Sequence, residues 1–318
     1  MSALPNGGAG KTGTPFKKRL TPYTFVLPTL IGLGLFLIYP LISAVYFSFT
    51  NIKLESLTEP PAFVGWNNWR FLLEDIRLEK AVKNTLWLVV VMVPARMVGA
   101  LITALLLNQV KRGRSAYRTL FYLPALAPPV AATIAFVLLL KPGTGPVNTL
   151  LTKLGVDDPP LWFNDPAWSK PSLVLLALWG IGDLMIIFVA ALLDVPAELH
   201  EAAALDGANT WQRFRFITLP SINPVLQFAA ITGIIATLQY FTQAAVAASV
   251  ASGSVTAGGG ITNVFGYPND STFTYPLRLY TVGFGTGALG YASVLSLVLF
   301  VVSLSATLLL LRRFRTFI

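Results

Sequence analysis

Six long apolar runs, each about as long as a lipid bilayer is thick, limit what this chain can fold into more than any other feature. They cover roughly residues 23–49, 84–108, 119–140, 171–193, 224–250 and 289–311. A helix needs about 20 apolar residues to cross the hydrocarbon core. No water is present there to satisfy peptide N–H and C=O groups, so each run is predicted to be a helix. Composition agrees: 54% of residues are apolar and 12% charged, the balance of a polytopic membrane protein. The competing reading, buried core helices of a soluble protein, would need many more ionic side chains on the surface.

Basic residues collect on the cytoplasmic side of short loops, and this sets an orientation. The amino-terminal tail carries Lys11, Lys17, Lys18 and Arg19 without an acid. The loop after the second run carries Lys111, Arg112, Arg114 and Arg118, and the carboxyl end carries Arg312, Arg313 and Arg315. Both termini are therefore expected in the cytoplasm, with the chain crossing a cytoplasmic (inner) membrane several times. One loop, residues 194–223, is cytoplasmic by alternation yet richer in acids than bases. Another demand, such as a docking partner, has to explain it. The net charge of +9 is thus topological. Nucleic-acid binding, the other use of a basic chain, needs the bases on one continuous face, and they are scattered at membrane edges. Absent cysteine excludes disulfides and thiolate metal sites. The first run is too long for a cleaved signal peptide and reads as an uncleaved anchor.

Residues 1–22 form a basic cytoplasmic tail, expected to be disordered where Gly, Pro, Ser and Thr dominate residues 1–15. Residues 23–318 are expected to form one six-helix transmembrane domain. The tail contains G-G-A-G-K-T at residues 7–12, half of a phosphate loop. The full motif needs a glycine where Pro5 stands, and no strand has room to precede it.

The loop between the fourth and fifth runs reads V-P-A-E-L-H-E-A-A-A-L-D-G-A-N-T-W-Q-R-F-R-F-I-T-L-P-S-I-N-P. Glu201, Ala202 and Ala203 are followed by Asp206 and Gly207, then by Ile217, Leu219 and Pro220. This spacing resembles the E-A-A loop of permease subunits of bacterial ABC importers, in their sugar-type (maltose and glycerol-phosphate) branch. The segments A-V-K-N-T-L-W at 81–87, G-R-S-A-Y-R-T-L-F-Y-L-P at 113–124 and K-P-G-T-G-P-V-N-T-L-L at 141–151 extend the resemblance over most of the chain. The stretch from Gln243 to Gly266 departs from the family pattern, which leaves the end of the fifth run open.

The resemblance implies an all-α membrane protein of the type I ABC importer permease architecture. It also implies a second permease subunit, an ABC ATPase dimer and an extracytoplasmic sugar-binding protein as partners, besides the lipid bilayer. ATP and Mg would be bound by the ATPase, with no cofactor and no catalytic residue in this chain. The loop would insert into a cleft of the ATPase, with Glu201 pairing with a base there. Glu198, Glu201, Ala202, Ala203, Asp206, Gly207 and Pro220 are the expected coupling residues.

Local physics fits a helix–turn–helix in this loop. Pro196 suits a first helical turn, and Glu198 and Glu201, three apart, share a face. Leu199, Ala202 and Ala203 line the other side. Gly207 can take the left-handed turn that ends such a helix. Asn209 or Thr210 can cap a second one, which Pro220 is expected to halt. His200 reads as a solvated residue of the helix face.

Two ionisable residues fall well inside the runs, Arg96 and Asp183. Each costs roughly 2.5–3.5 kcal/mol near a helix centre, so they should face a cavity, each other or a partner. Trp179, Asp183, Gln239, Tyr240 and Gln243 form the expected substrate path. Amide, carboxylate and ring together suit a hydroxyl-rich sugar; polar helix–helix packing is the competing use. Gln239 and Gln243, four apart, are expected on one helix face. The sugar itself stays open among maltose-like oligosaccharides, trehalose and glycerol phosphate. An ion-driven transporter would carry its own coupling acids in an inverted repeat, and a membrane enzyme would need a nucleophile or metal cluster; neither pattern is found.

Overall fold

The computed structural model describes residues 16–110, 112–253 and 264–315, with side chains described from residue 25 to residue 312. The phosphate-loop-like segment at 7–12 and residues 254–263 of the divergent stretch lie outside these residues. Helices follow one another as α1 (Phe16–Leu33), α2 (Tyr39–Ser48), α3 (Asn67–Glu74), α4 (Ile76–Gln109), α5 (Arg114–Tyr122), α6 (Pro129–Leu139), α7 (Pro146–Lys153) and α8 (Pro166–Trp179). Then come α9 (Gly182–Leu193), α10 (Ala197–Leu205), α11 (Thr210–Arg213), α12 (Leu219–Ser221), α13 (Asn223–Leu238), α14 (Thr242–Ala251), α15 (Tyr275–Tyr280) and α16 (Leu289–Arg315). Among the described residues no strand occurs, only an isolated antiparallel bridge between Thr50 and Phe63. Helix α1 already begins at Phe16, within the stretch expected as tail.

The long helix α4 is the spine. Its 34 residues span about 51 Å at 1.5 Å per residue, and it continues through Pro94. Each of the three core clusters is built on it. Ala81, Leu88 and Met92 meet Leu173 of α8 and Ala244 and Ala247 of α14. Further along, Ala100, Ala104 and Leu107 meet Met185, Phe188 and Leu192 of α9, with Ile222 beneath. Ala100 and Ala104 lie four apart and are fully buried; small side chains at this spacing let neighbouring backbones approach closely. At the start of α4, Leu78 packs with Tyr275 of α15 and Tyr291 and Leu295 of α16.

Helices α1 and α2 make the first span, joined by a π-helical turn at Gly34–Ile38 in which the N–H of Tyr39 donates to the carbonyl of Gly34. Pro40 follows directly. Proline has no N–H and crowds the carbonyl four residues back, so a widened turn ahead of it relieves the clash. The same pairing recurs at Phe214–Thr218 ahead of Pro220. Apolar residues along this span face outward, as for Phe25, Phe36 and Ile42; they suit contact with lipid.

Three runs expected as continuous helices are broken. The third bends by 97° between Leu126 and Pro129, the fourth by 49° between Trp179 and Gly182. The fifth stops at Leu238 and resumes at Thr242. Helix α6 alone, with 11 residues, reaches about 16 Å and cannot cross a bilayer unaided. Counting each bent pair as one span gives up to six.

At the end of the bundle expected outside, loops are tied to the spine by polar groups. Asn84 donates to the carbonyls of Asp270 (2.7 Å) and Phe273 (3.0 Å) and accepts from Lys170. Thr85 accepts from the N–H of Tyr275 at 2.8 Å. Gly290 packs directly beneath the carbonyl of Thr50, where a side chain has no room. Asp75 caps α4 by accepting from the N–H of Leu78, and its other oxygen accepts from Arg278 Nε and Tyr291 Oη, both at 2.8 Å. Burial alone pushes the Asp75 carboxyl up. The bonds from Arg278, Tyr291 and Leu78, with the Arg278 charge, outweigh it and hold the group below its ordinary value.

Asp75→Ala leaves Arg278 charged, buried and without its partner, which is expected to cost roughly 3–5 kcal/mol; thermal unfolding of the purified protein in detergent checks this. Because the folded Asp75 binds a proton less readily than the unfolded one, its stabilisation is complete above the ordinary aspartate pKa of about 3.9 and is lost as pH falls through the lower folded value. Asp75→Asn is expected to remove that part of the acid dependence.

Candidate functional site

Two places gather the polar residues that packing alone does not require. The first is a cavity of about 290 Å³ halfway along the spine. It lies where the three broken spans interrupt their helices: Pro124, Ala127 and Pro129 of the third, Trp179 and Gly180 of the fourth, and Gln239, Tyr240 and Phe241 of the fifth line it. Non-helical backbone at membrane depth is tolerated only where protein or a water-filled space satisfies it, so the breaks and the cavity require one another.

Prolines and glycines mark two of the breaks, and tertiary contacts complete them. Pro128 and Pro129 supply no N–H to a preceding turn, and Pro128 is extended at ψ 131°. At the fourth span Gly180 ends α8, and Gly182 opens α9 against the third. A Cβ on Gly182 would lie 2.6 Å from the Cα of Tyr122 and collide with the Phe121 carbonyl; only glycine permits that approach. At the fifth, the carbonyl of Tyr240 accepts from Thr274 Oγ1 at 2.8 Å, so the unwound turn is satisfied from outside its own helix.

All five residues expected to form a substrate path, Asp183 among them, line this one cavity, as does Arg96. Arg96 and Asp183 face each other: Arg96 Nη2 donates to both carboxylate oxygens, at 3.2 and 3.3 Å. Asp183 also accepts from the N–H of Leu184 at 2.7 Å, in the first turn of α9, where a negative charge is favoured. Trp179 is 44% exposed. Gln239 and Gln243 do share the cavity, but not as one helix face; Gln239 closes α13 and Gln243 belongs to α14. The contribution of the third span was missed. Its signal was visible as the L-P-A-L-A-P-P breaker sequence at 123–129 inside an apolar run.

The second place is the elbow after α9. Helix α10 starts one residue later than expected, with Pro196 as its cap. It ends in a paired motif: the N–H of Ala208 donates to the carbonyl of Ala203 and that of Gly207 to Ala204. Gly207 has φ +80°, the left-handed turn that such an ending uses. Asn209 and Gln212 then cap α11 reciprocally at 2.9 and 2.8 Å. Pro220 does not halt the helix as expected. It lies inside α12, and the 66° turn into the fifth span comes at Ile222.

Glu198, Glu201, Ala202, Asp206 and Gly207 are exposed and Ala203 is half-buried. Among the described residues no ion pair involves Glu198 or Glu201. Glu201, His200 and Arg213 border a hollow between the elbow and Asn108 at the end of α4, so His200 is half-buried and not fully solvated. Leu205, at the tip, is 90% exposed.

Comparison with known proteins matches this architecture. Residues 96–315 match the family of binding-protein-dependent transport system inner membrane components. The probable ABC transporter permease protein YesP of Bacillus subtilis (strain 168) is 32% identical over 298 residues, covering 92% of this chain and 90% of YesP. The lactose transport system permease protein LacF of Rhizobium radiobacter is 32% identical, covering 82% of this chain and 83% of LacF. The arabinooligosaccharides transport system permease protein AraP of Bacillus subtilis (strain 168) is 30% identical, covering 93% and 89%. In fold, the chain superposes with TM-score 0.74 on a chain of a bacterial ABC transporter involved in import of the acidic polysaccharide alginate, at 24% identity over 94% of this chain and 96% of that one. A second structure of an alginate ABC transporter, in complex with a pentasaccharide-bound periplasmic protein, gives the same TM-score of 0.74 over 92% and 93%. With all-helical spans, a cavity at their breaks and a capped elbow at one end, the chain belongs to the binding-protein-dependent transport system inner membrane components, as an ABC importer permease.

Proposed function

We propose that this permease forms half of the path by which an ATP-driven importer carries a sugar across the inner membrane, with both termini in the cytoplasm. The observation that carries the sugar is the cavity at the span breaks. It presents two amides, a carboxylate and the rings of Trp179 and Tyr240, the groups that bond hydroxyls at a sugar's edge and cover its apolar face. Relatives named for lactose and arabinooligosaccharide transport support the same substrate class. The second half of the path comes from another permease subunit, and an external binding protein delivers the sugar to the outer mouth.

Force enters at the elbow. Exposed α10 offers an acidic face and an apolar tip to a cleft of an ATPase, whose dimer binds the ATP and Mg. Glu201 pairs with a base in that cleft, and Gly207 sets the corner that carries the motion into α11–α13 and the broken fifth span. Helix α9, which leads into the elbow, holds Asp183 at its other end, so one helix joins the two places. This chain itself performs no chemistry. Discontinuous helices also serve ion-driven transporters, and the two readings separate cleanly: purification of this chain should bring an ABC ATPase and a second permease, and transport by this chain alone in liposomes would favour the rival.

Glu201→Lys is expected to lower sugar uptake and transport-stimulated ATP hydrolysis at least about tenfold, the factor of one lost interaction of roughly 1.4 kcal/mol. Gly207→Pro is expected to abolish both, since proline is confined to φ near −65° and the corner stands at +80°. Uptake and ATPase assays on reconstituted complexes measure these effects; unchanged uptake with normal membrane insertion would remove the coupling role. Asp183→Ala is expected to weaken transport about tenfold while the partner subunits still co-purify. Loss of co-purification would make Asp183 an assembly residue instead.

A further inference from the structure

We infer that the cavity selects uncharged sugars and excludes anionic ones, and that Asp183 is the discriminating residue. This deepens the sugar-path reading and rests on it. Among the residues lining the cavity, Arg96 and Asp183 are the only charged ones. They form an ion pair, so this chain's share of the site is neutral, but its two charges are not presented equally. The Arg96 side chain is 26% exposed and the Asp183 side chain 58%.

Bonding deepens the asymmetry. Arg96 Nη2 is spent on the carboxylate, and Nε is buried without any partner. Of the two partners the guanidinium is thus the more enclosed, with Nη2 engaged and Nε buried. The carboxylate is the more exposed, held in place by the Leu184 N–H, with acceptor capacity left for hydroxyl protons. A neutral sugar can donate hydroxyl bonds to it. A uronate or sugar phosphate has to bring a second negative charge against it, and like charges repel.

The remaining cavity groups are consistent with a neutral ligand. Gln239 and Gln243 each donate and accept, and Thr133, Thr237 and Thr242 add no charge. Selection here would act after delivery, as a filter independent of the external protein. Glycerol phosphate, left open by the sequence, is then an unsuitable substrate.

The test is equilibrium binding to the intact complex in lipid nanodiscs, without the external protein. Maltotriose serves as the neutral probe, and trigalacturonate, of equal length, as the anionic one. The wild type is expected to bind the neutral probe at least about tenfold more tightly, the scale of one like-charge contact. Asp183→Asn leaves Arg96 uncompensated and is expected to invert the preference. Asp183→Glu keeps the charge and is expected to keep the order. Equal or tighter binding of trigalacturonate by the wild type overturns the inference, as does an Asp183→Asn complex that still rejects it; sugar binding itself survives either result. If neither probe binds, the sugar-path reading falls with it.

Discussion

A peptide group in hydrocarbon has nowhere to find a hydrogen-bond partner except its own helix, and the rest of this structure depends on that constraint. It makes the first, second and sixth spans continuous, and it allows the other three to break only where they break together. The prolines at 128–129, the glycines at 180 and 182 and the unwound turn at 239–241 come from distant parts of the chain, yet they line one space. Had any of them been displaced along its span, its exposed carbonyls would face lipid at a cost of several kcal/mol each. The cavity is a by-product of meeting that requirement, and its polar lining is what makes it a site.

Much of this was legible from residue order. Span number and length follow from bilayer thickness, which apolar runs record directly. The elbow was legible in detail because its devices are local: Gly207 needs its left-handed turn and Asn209 its Gln212 within a few residues. The Arg96–Asp183 pair was anticipated only as one of three outcomes, since its members stand 87 positions apart. The breaks were harder. Trp179–Gly182 and Gln239–Phe241 sit inside apolar runs whose composition predicts an unbroken helix, and what opens them is tertiary, such as the Thr274 bond to Tyr240. Pro220 failed as a stop signal because a widened turn just ahead of it absorbs the missing N–H. The Asp75–Arg278–Tyr291 cluster joins groups 203 and 216 positions apart; no periodicity encodes such a meeting.

The two ends of the molecule are built on different principles. At the end expected outside, capped and buried polar groups lock α4, α15 and α16 together, and Asp75 is held charged by three donors. At the other end the elbow is secured mainly by its own backbone bonds, and among the described residues its acids form no ion pair. Rigidity at one end and open valence at the other fit the proposed docking of a partner at the elbow.

That open valence has a cellular cost. Leu205 stands nearly bare on the elbow, and Trp211 and Phe216 further along it are also largely exposed. If the proposed ATPase covers them, a chain made in excess of its companions would leave these greasy side chains bare, a target for chaperones and proteases. On that reading, the fate of each copy is tied to balanced production of its partner subunits.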